Sequence, residues 1–213
     1  MSERLAHVPN FDLPVRRANG FLALARAYSP PDAWPDDLAE IFESAFIPLG
    51  GEVRDRGIEL ISSLNRSGAT PEELAPVHAR LFIGPFDMQA PPWASLYLDP
   101  EKQLMGETSR YAAKAYAEAG LGPVTGPTDA PDHVTHELEF MYFLAFREGE
   151  TGDVEWRQRQ ARFWREHLGA WLPQMAALAK QASGESPFYR SLAELTLAFC
   201  RWLEEENFEA SQH

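Results

Sequence analysis

The sequence predicts an all-α fold, a single-domain bundle of about nine helices, and three observations support this prediction. Apolar residues recur at helical spacing in nearly every segment of the chain. No segment shows the alternation of apolar and polar residues that is typical of a half-buried strand. Proline and glycine lie between the periodic segments, where helices end. With 213 residues, 45% of them hydrophobic, the chain can build one full core, and residues 1–213 are expected to form one domain.

The first half of the chain is predicted to hold four helices. Their spans are 15–28, 35–47, 52–65 and 71–83. Ser29-Pro30-Pro31 ends the first helix, because the residue before a proline is pushed out of the helical region. Thr70 and Glu73 form a capping box at the start of the fourth, and Gly84-Pro85 ends it.

Five further helices are predicted in the second half. Their spans are 99–119, 129–148, 153–168 and 170–182, with a last helix from Pro187 onward. Gly120 is expected to end the first of these in a left-handed conformation. The helix over 129–148 is apolar on more than one face and is therefore expected to be central. Residues 121–128, LGPVTGPT, are the strongest linker candidate and a possible hinge between two helical halves.

The net charge of the chain indicates which kinds of binding partner are favoured. The 19 basic and 32 acidic side chains give a net charge of −13, which disfavours nucleic acid, since phosphate backbones need basic patches. An acidic surface either serves solubility or attracts cationic partners. The single cysteine, Cys200, excludes an internal disulfide and lies in an apolar helical pattern typical of a core residue. No signal-peptide or membrane-spanning pattern is found, so a cytoplasmic protein without membrane insertion is expected.

Residues 81–98, LFIGPFDMQAPPWASLYL, form the most unusual stretch of the sequence. A loop of this length is uncommon in a compact domain and is usually functional or disordered, and its aromatic residues argue against disorder. Phe82 suits the core of the bundle. Trp93, which follows Pro91-Pro92, instead suits an anchor for an extended peptide.

Residues 129–141, DAPDHVTHELEFM, are the second unusual stretch and are expected to act together with the first. Asp132 and His133 lie at the start of the predicted helix over 129–148, where unpaired backbone N–H groups favour negative charge. Asp132 therefore either complements the helix dipole or accepts a guanidinium group or nucleobase edge from a ligand, with His133 as a pH-sensitive neighbour.

Catalytic motifs are absent, and no enzyme activity is expected. The sequence contains no GxSxG, P-loop, dinucleotide-binding glycine fingerprint or HExxH pattern. His133, His136 and Glu137 have helical spacing that could serve a metal-dependent hydrolase, but bundle metal sites need a matching pair from another helix, which the sequence lacks.

At these two stretches the sequence resembles the TorD/DmsD family of redox-enzyme maturation chaperones, and the DmsD-like branch in particular. The matching segments are Leu-Phe-Ile-Gly-Pro at 81–85, Pro-Pro-Trp-Ala-Ser-Leu-Tyr-Leu-Asp at 91–99, Pro-Asp-His at 131–133, Glu-Leu-Glu-Phe-Met at 137–141 and Pro-Phe-Tyr-Arg at 187–190. Two positions depart from the family pattern: Ala94 stands where glycine is usual, and His78 where an aromatic residue is often found.

The resemblance implies a cytoplasmic chaperone that binds the twin-arginine leader of a molybdenum-cofactor oxidoreductase of the DMSO- or TMAO-reductase type. Such a protein holds the apo form of the client during cofactor insertion and delays its export. The implied peptide-binding residues are Leu81, Phe82, Pro92, Trp93, Ser95, Tyr97, Asp132, His133 and Glu137. Asp132 would take the guanidinium group, and Trp93, Leu81 and Phe82 would flank the apolar part of the leader.

The resemblance also bears on cofactors and assembly. No cofactor or metal is expected, although a guanine-nucleotide-binding module is an alternative because such ligands have been proposed in the family. A monomer that can also form a domain-swapped dimer, hinged at 121–128, is expected. A purely structural subunit, without affinity for leader peptides, is a further alternative.

Overall fold

The computed structural model describes residues 12–66, 70–84, 88–123 and 130–205. Within these ranges the chain is helical, with ten α-helices, two 3-10 turns and two π-helical turns, which confirms the all-α prediction. The α-helices are α1 (Asp12–Tyr28), α2 (Leu38–Phe46), α3 (Gly51–Leu64), α4 (Pro71–His78), α5 (Ser95–Leu98), α6 (Glu107–Glu118), α7 (Val134–Thr151), α8 (Val154–Phe163), α9 (Gly169–Ala182) and α10 (Pro187–Leu203). Residues 124–128, which make up most of the predicted hinge, lie outside the described residues. Asp129, the first residue of the second unusual stretch, also lies outside them.

Several predicted boundaries are confirmed by their local chemistry. Thr70 accepts a hydrogen bond from the Glu73 backbone N–H while the Glu73 carboxylate accepts one from the Thr70 N–H, so both halves of the capping box are present. Gly120 has a φ of 84°, as expected for a residue that ends a helix in the left-handed region. Short-range signals of this kind depend only on neighbouring residues.

Other boundaries differ from the prediction. Residues 99–106 precede α6 as a turn instead of belonging to it, because the Asp99 carboxylate accepts a hydrogen bond from the Thr108 N–H at 3.2 Å and so caps α6. Gly149 lies inside α7 and does not end it. The helix instead ends at Thr151 and is capped by Gly152, whose φ is 68°. Leu81 and Phe82 are helical, in agreement with the predicted span 71–83, since a π-helical turn (Ala79–Ile83) continues α4. The loop after this turn is therefore shorter than the 81–98 stretch suggested.

The centre of the bundle is the antiparallel pair of α1 and α7. Arg26, near the end of α1, contacts Glu139, near the start of α7. Arg17, near the start of α1, contacts Glu148, near the end of α7, so the two helices run in opposite directions. Arg17 is fully buried, and its 2.5 Å contact with Glu148 matches a buried charge with an opposite one. As predicted, α7 is central: its inner face buries Val134, Leu138, Phe140, Met141, Leu144 and Ala145. Helix α10 packs against α3 and α9 on the other side of the core.

Candidate functional site

The two unusual stretches of the sequence meet in the folded chain. An isolated antiparallel bridge joins Trp93 to His133. The Ala94 N–H donates to the Asp132 carbonyl at 3.0 Å, and the Val134 N–H donates to the Pro92 carbonyl at 2.8 Å. The backbone ahead of α5 is thus fixed against the start of α7, which confirms that the two stretches pair in the fold.

Asp132 stabilises this junction from the protein interior. Its side chain is fully buried. One carboxylate oxygen accepts the Ser95 N–H at 2.9 Å and the other accepts the Ser109 hydroxyl at 2.5 Å. Hydrogen bonds to a charged acceptor are the stronger class. The carboxylate therefore joins the start of α5, the first turn of α6 and the turn before α7, and in this conformation it does not face solvent.

The backbone next to Asp132 is also anchored by α6, through Tyr116. The Tyr116 hydroxyl donates to the Pro131 carbonyl at 2.7 Å. Burial raises the pKa of Tyr116 well above its ordinary value, so the hydroxyl keeps its proton and remains a donor. Neither Tyr116 nor Ser109 belongs to a motif in the sequence. Both were missed because only the packing of α6 brings them to the turn.

Glu137, another predicted peptide contact, is also in the core. Its oxygens accept hydrogen bonds from the ring Nε2 of His167 at 2.6 Å and from the indole N–H of Trp171 at 2.9 Å. Burial raises the pKa of Glu137, and His167 opposes this effect. The ring of Tyr111 stacks on His167 at 5.0 Å between centroids. Glu137 thus connects α7 to α9 and the π-helical turn (Trp164–Leu168) before it.

His133 is half-buried and forms the N-terminal cap of α7. Its Nδ1 accepts a hydrogen bond from the Thr135 N–H at 3.3 Å. Because this nitrogen is an acceptor, the neutral ring carries its proton on Nε2. Burial, with a contribution from His136, lowers the pKa of His133 to about 4, so the ring is neutral at pH 7. It can therefore serve a ligand as an N–H donor.

Trp93 is a half-buried aromatic residue at the junction. Its ring lies edge-on to His133 with centroids 5.5 Å apart, and His133 in turn lies 5.8 Å from His136. The backbone that carries Trp93 is held by the bridge described above and by the Tyr97 hydroxyl, which donates to the Pro91 carbonyl at 2.9 Å. The indole is thus presented from a fixed backbone, as expected for an anchor.

Most of the other residues predicted to contact a peptide lie in the interior, beneath the junction. Leu81, Phe82, Pro92 and Ser95 are buried, and Tyr97 is half-buried against Trp171 at 5.5 Å. Phe82 belongs to the core, as expected, because its ring contacts Tyr28, His78 and Tyr189. Most of the motif residues therefore build the junction, while Trp93 and His133 reach its surface.

The two departures from the family pattern fit the fold. Ala94 is fully buried with a φ of −56°, an ordinary helical value that does not require glycine. His78 is buried between the rings of Phe82 and Tyr189 and contacts the Tyr28 carbonyl through Nε2 at 3.2 Å. An imidazole ring thus takes the place of an aromatic side chain there.

The metal-site alternative is not supported by this arrangement. His133 and His136 lie toward the surface, whereas both oxygens of Glu137 are used in the core. Among the described residues, no group of three or more histidine, cysteine, aspartate or glutamate side chains could hold a metal ion. The three residues therefore do not converge on one point.

A cleft between α6, α7 and α8 is a separate concavity. Its volume is about 240 Å³, and it is lined by Tyr111, Lys114, Ala115, Glu118, Phe140, Arg159, Arg162, Phe163 and Glu166. Within the described ranges, no helix is long and apolar enough to cross a membrane.

The fold and the site together define an all-helical protein with an aromatic junction at its surface, within the residues that the structure describes. Comparison with known proteins then gives the family. Residues 32–177 match the profile of the nitrate reductase delta subunit family, so the chain belongs to this family. The matched range includes both stretches that build the junction.

Individual relatives agree with the resemblance to TorD and DmsD, which is thereby confirmed. The chain is 29% identical over 149 residues to the chaperone protein TorD of Vibrio parahaemolyticus, covering 67% of this chain and 69% of the relative. It is 30% identical over 132 residues to the Tat proofreading chaperone DmsD of Salmonella typhi, covering 62% of this chain and 61% of the relative. The match thus spans less than two thirds of that DmsD chain.

A solved structure shows the same fold. The chain is similar to a proposed redox enzyme maturation protein from Archaeoglobus fulgidus, known from its crystal structure. The TM-score is 0.52 at 21% sequence identity, and the superposition covers 86% of this chain and 93% of the other. The all-helical fold predicted from the sequence is therefore also found in this solved structure.

Proposed function

We propose that this protein is a redox-enzyme maturation chaperone that binds the twin-arginine leader of a molybdenum-cofactor oxidoreductase. It holds the apo enzyme in the cytoplasm during cofactor insertion and delays export, and it needs no cofactor of its own. The observation that carries the proposal is the similarity to the TorD and DmsD chaperones within a family match that contains both halves of the junction.

The geometry of the junction supports a peptide ligand. Trp93 provides an apolar ring on a fixed backbone, and the neutral His133 beside it provides an N–H donor. An extended peptide offers apolar side chains and backbone carbonyl groups, which are the matching partners. Little ordering of this surface is needed on binding, and rigid surfaces lose less entropy when a ligand binds.

Calorimetric titration with synthetic leader peptides tests the proposal. A peptide with two adjacent arginines followed by an apolar stretch is expected to bind, and a scrambled peptide of the same composition to bind at least about tenfold more weakly. Trp93→Ala should weaken binding of the leader, because it removes an apolar contact. Equal affinity for the leader and the scrambled peptide would contradict the proposal.

The family name favours one competing function, that of a stable subunit of a reductase. Affinity purification separates the two functions. A maturation chaperone is expected to be recovered with the apo form of the oxidoreductase that still carries its leader, and to be released from the mature enzyme. Stoichiometric retention in the mature enzyme, without affinity for any leader peptide, would establish the subunit.

A further inference from the structure

One row of partly exposed side chains extends from the junction along α7. It begins with Trp93 and His133 and passes to His136, whose Nδ1 lies 4.0 Å from the carboxylate of Glu139. Positions three residues apart are neighbours on a helix surface, and each step turns about 60° around the axis, so the row winds from the N-terminal end of α7 toward its solvent-facing side. The row therefore links the aromatic anchor to a carboxylate.

Glu139 is the carboxylate of this helix face that solvent can reach. Its side chain is 42% exposed, whereas Asp132 and Glu137 are fully buried and already hydrogen-bonded. A ligand can reach Glu139 without breaking the core. The buried acids become available only if the junction itself opens.

Glu139 already binds a guanidinium group. Arg26 of α1 contacts it through a single pair of atoms, Nη1 and Oε1, at 3.2 Å, and the Arg26 side chain is 43% exposed. The other oxygen, Oε2, is the one that faces His136. Ion pairs between exposed side chains are weak, and the single contact leaves the two-point geometry preferred by arginine and carboxylate unfilled. A second guanidinium group can therefore replace Arg26.

The row continues beyond Glu139 with apolar side chains. Tyr142 and Phe146 lie one and two turns further along α7 with their rings 6.0 Å apart, and Phe146 is 49% exposed. From residue 133 to residue 146 the helix rises about 20 Å, the length of roughly six residues of extended chain. The surface thus has a carboxylate between two aromatic patches.

We propose that Glu139 receives an arginine of the leader peptide and that Arg26 occupies this position in the free protein. The inference rests on the proposed function and assigns the place of the guanidinium group within it. The apolar part of the leader lies on Tyr142 and Phe146 or on Trp93, on either side of Glu139. The occupant is an arginine-bearing apolar peptide because the row combines one exposed carboxylate with aromatic rings.

Two peptides and two variants test this assignment. The first peptide carries two adjacent arginines before an apolar stretch, and the second carries neutral citrulline in their place. Glu139→Gln is expected to weaken binding of the arginine peptide about tenfold and to leave the citrulline peptide unchanged, because only the charged ligand uses the carboxylate. Arg26→Gln is expected to strengthen binding of the arginine peptide roughly threefold, since the internal competitor is gone.

A second exposed ion pair supplies matched controls. Glu52 and Arg201 contact each other at 2.8 Å with side chains 51% and 50% exposed. Glu52→Gln and Arg201→Gln change the net charge by the same amounts as the two test variants. They are expected to leave both affinities nearly unchanged, and melting temperatures check that all four variants fold.

The outcomes distinguish this inference from the proposed function. If wild type binds the arginine peptide and Glu139→Gln binds it equally well, the assignment of Glu139 is wrong and the proposed function stands. If Arg26→Gln gains no more affinity than Arg201→Gln, Arg26 is not a competitor. If wild type binds neither peptide, the proposed function fails and this inference fails with it.

Discussion

At the scale of single residues, the Asp-His turn before α7 has divided roles. Asp132 is buried with both oxygens hydrogen-bonded, so it stabilises the junction. His133 caps α7 and reaches the surface beside Trp93. Contact between either residue and a leader peptide remains a prediction, and the two residues can be tested separately.

Asp132→Asn is expected to lower the free energy of unfolding by about 1–2 kcal/mol, because the amide oxygen accepts only one of the two buried hydrogen bonds and the other acceptor becomes an NH2 donor. Urea unfolding measures the loss. Asp36→Asn, on an exposed acid, serves as the control and should change stability by less than about 0.5 kcal/mol. Unchanged stability together with lost leader binding would instead identify Asp132 as a direct contact.

His133 is expected to make stability depend on pH between about 6.5 and 4. Its folded-state pKa is lowered from 6.5 to about 4, so the unfolded chain binds the proton more readily across this interval. The stabilisation is present above pH 6.5 and is lost as the pH falls toward 4. Allowing for partial exposure, the loss from pH 7 to pH 5 is about 1–2 kcal/mol.

His133→Asn separates this titration from the capping role, because asparagine also caps helices and carries no titrating group. Urea unfolding at pH 7 and pH 5 should show a smaller loss of stability in this variant than in wild type. Equal losses in wild type and His133→Asn would mean that the ring titrates normally.

At the scale of helices, the packing around a helical glycine decides whether alanine can replace it without a steric clash. A Cβ on Gly20 of α1 would lie 2.5 Å from the ring of Phe199, which is closer than real Cβ atoms come. A Cβ on Gly149 of α7 would meet Pro14 at 3.5 Å, an ordinary contact. Both glycines lie within helices, where alanine is intrinsically favoured.

Alanine at these two positions is therefore expected to have opposite effects. Gly149→Ala should raise the free energy of unfolding by about 0.5–1 kcal/mol through helix propensity. Gly20→Ala should lower it by about 1–2 kcal/mol, because overpacking against Phe199 outweighs the same gain. Thermal and urea unfolding of both variants measure the difference. A stabilised Gly20→Ala variant would show that α1 and α10 can separate at no cost.

At the scale of the whole molecule, the net charge of −13 favours cationic ligands. Affinity for the arginine leader is expected to fall as salt is added, because exposed charges are screened over about 8 Å at physiological ionic strength. Residual binding at high salt is expected from apolar contacts, and Trp93→Ala should lower that residual affinity with little change in the salt dependence. A dissociation constant that is equal at low and high salt would point to a wholly apolar site.

The candidate site was only partly predictable. The sequence identified both stretches, and the bridge between Trp93 and His133 confirms that they meet. It did not reveal that the motif residues Asp132 and Glu137 are buried. Residue type and spacing show that a carboxylate is near a helix start, whereas its exposure depends on which helices pack over it. Glu139 was missed as a candidate for the same reason.

The sequence by itself determined the helical architecture, because the signals for it act over one or two turns. Thr70 and Glu73 cap α4 within four residues of each other, and Gly120 ends its helix through its own backbone freedom. Where a distant residue intervened, the sequence was insufficient. Asp99 was predicted to open the helix, but its carboxylate accepts a hydrogen bond from Thr108 in the first turn of α6, so the helix starts later, at Glu107.

Only the tertiary structure decided what each functional side chain can reach. Ser109 approaches Asp132 from another helix, His167 and Trp171 approach Glu137, and Arg26 approaches Glu139. These contacts join residues far apart in the chain. The free energy that fixes them comes from burial of the whole core and not from local preference, so no short window of sequence contains it.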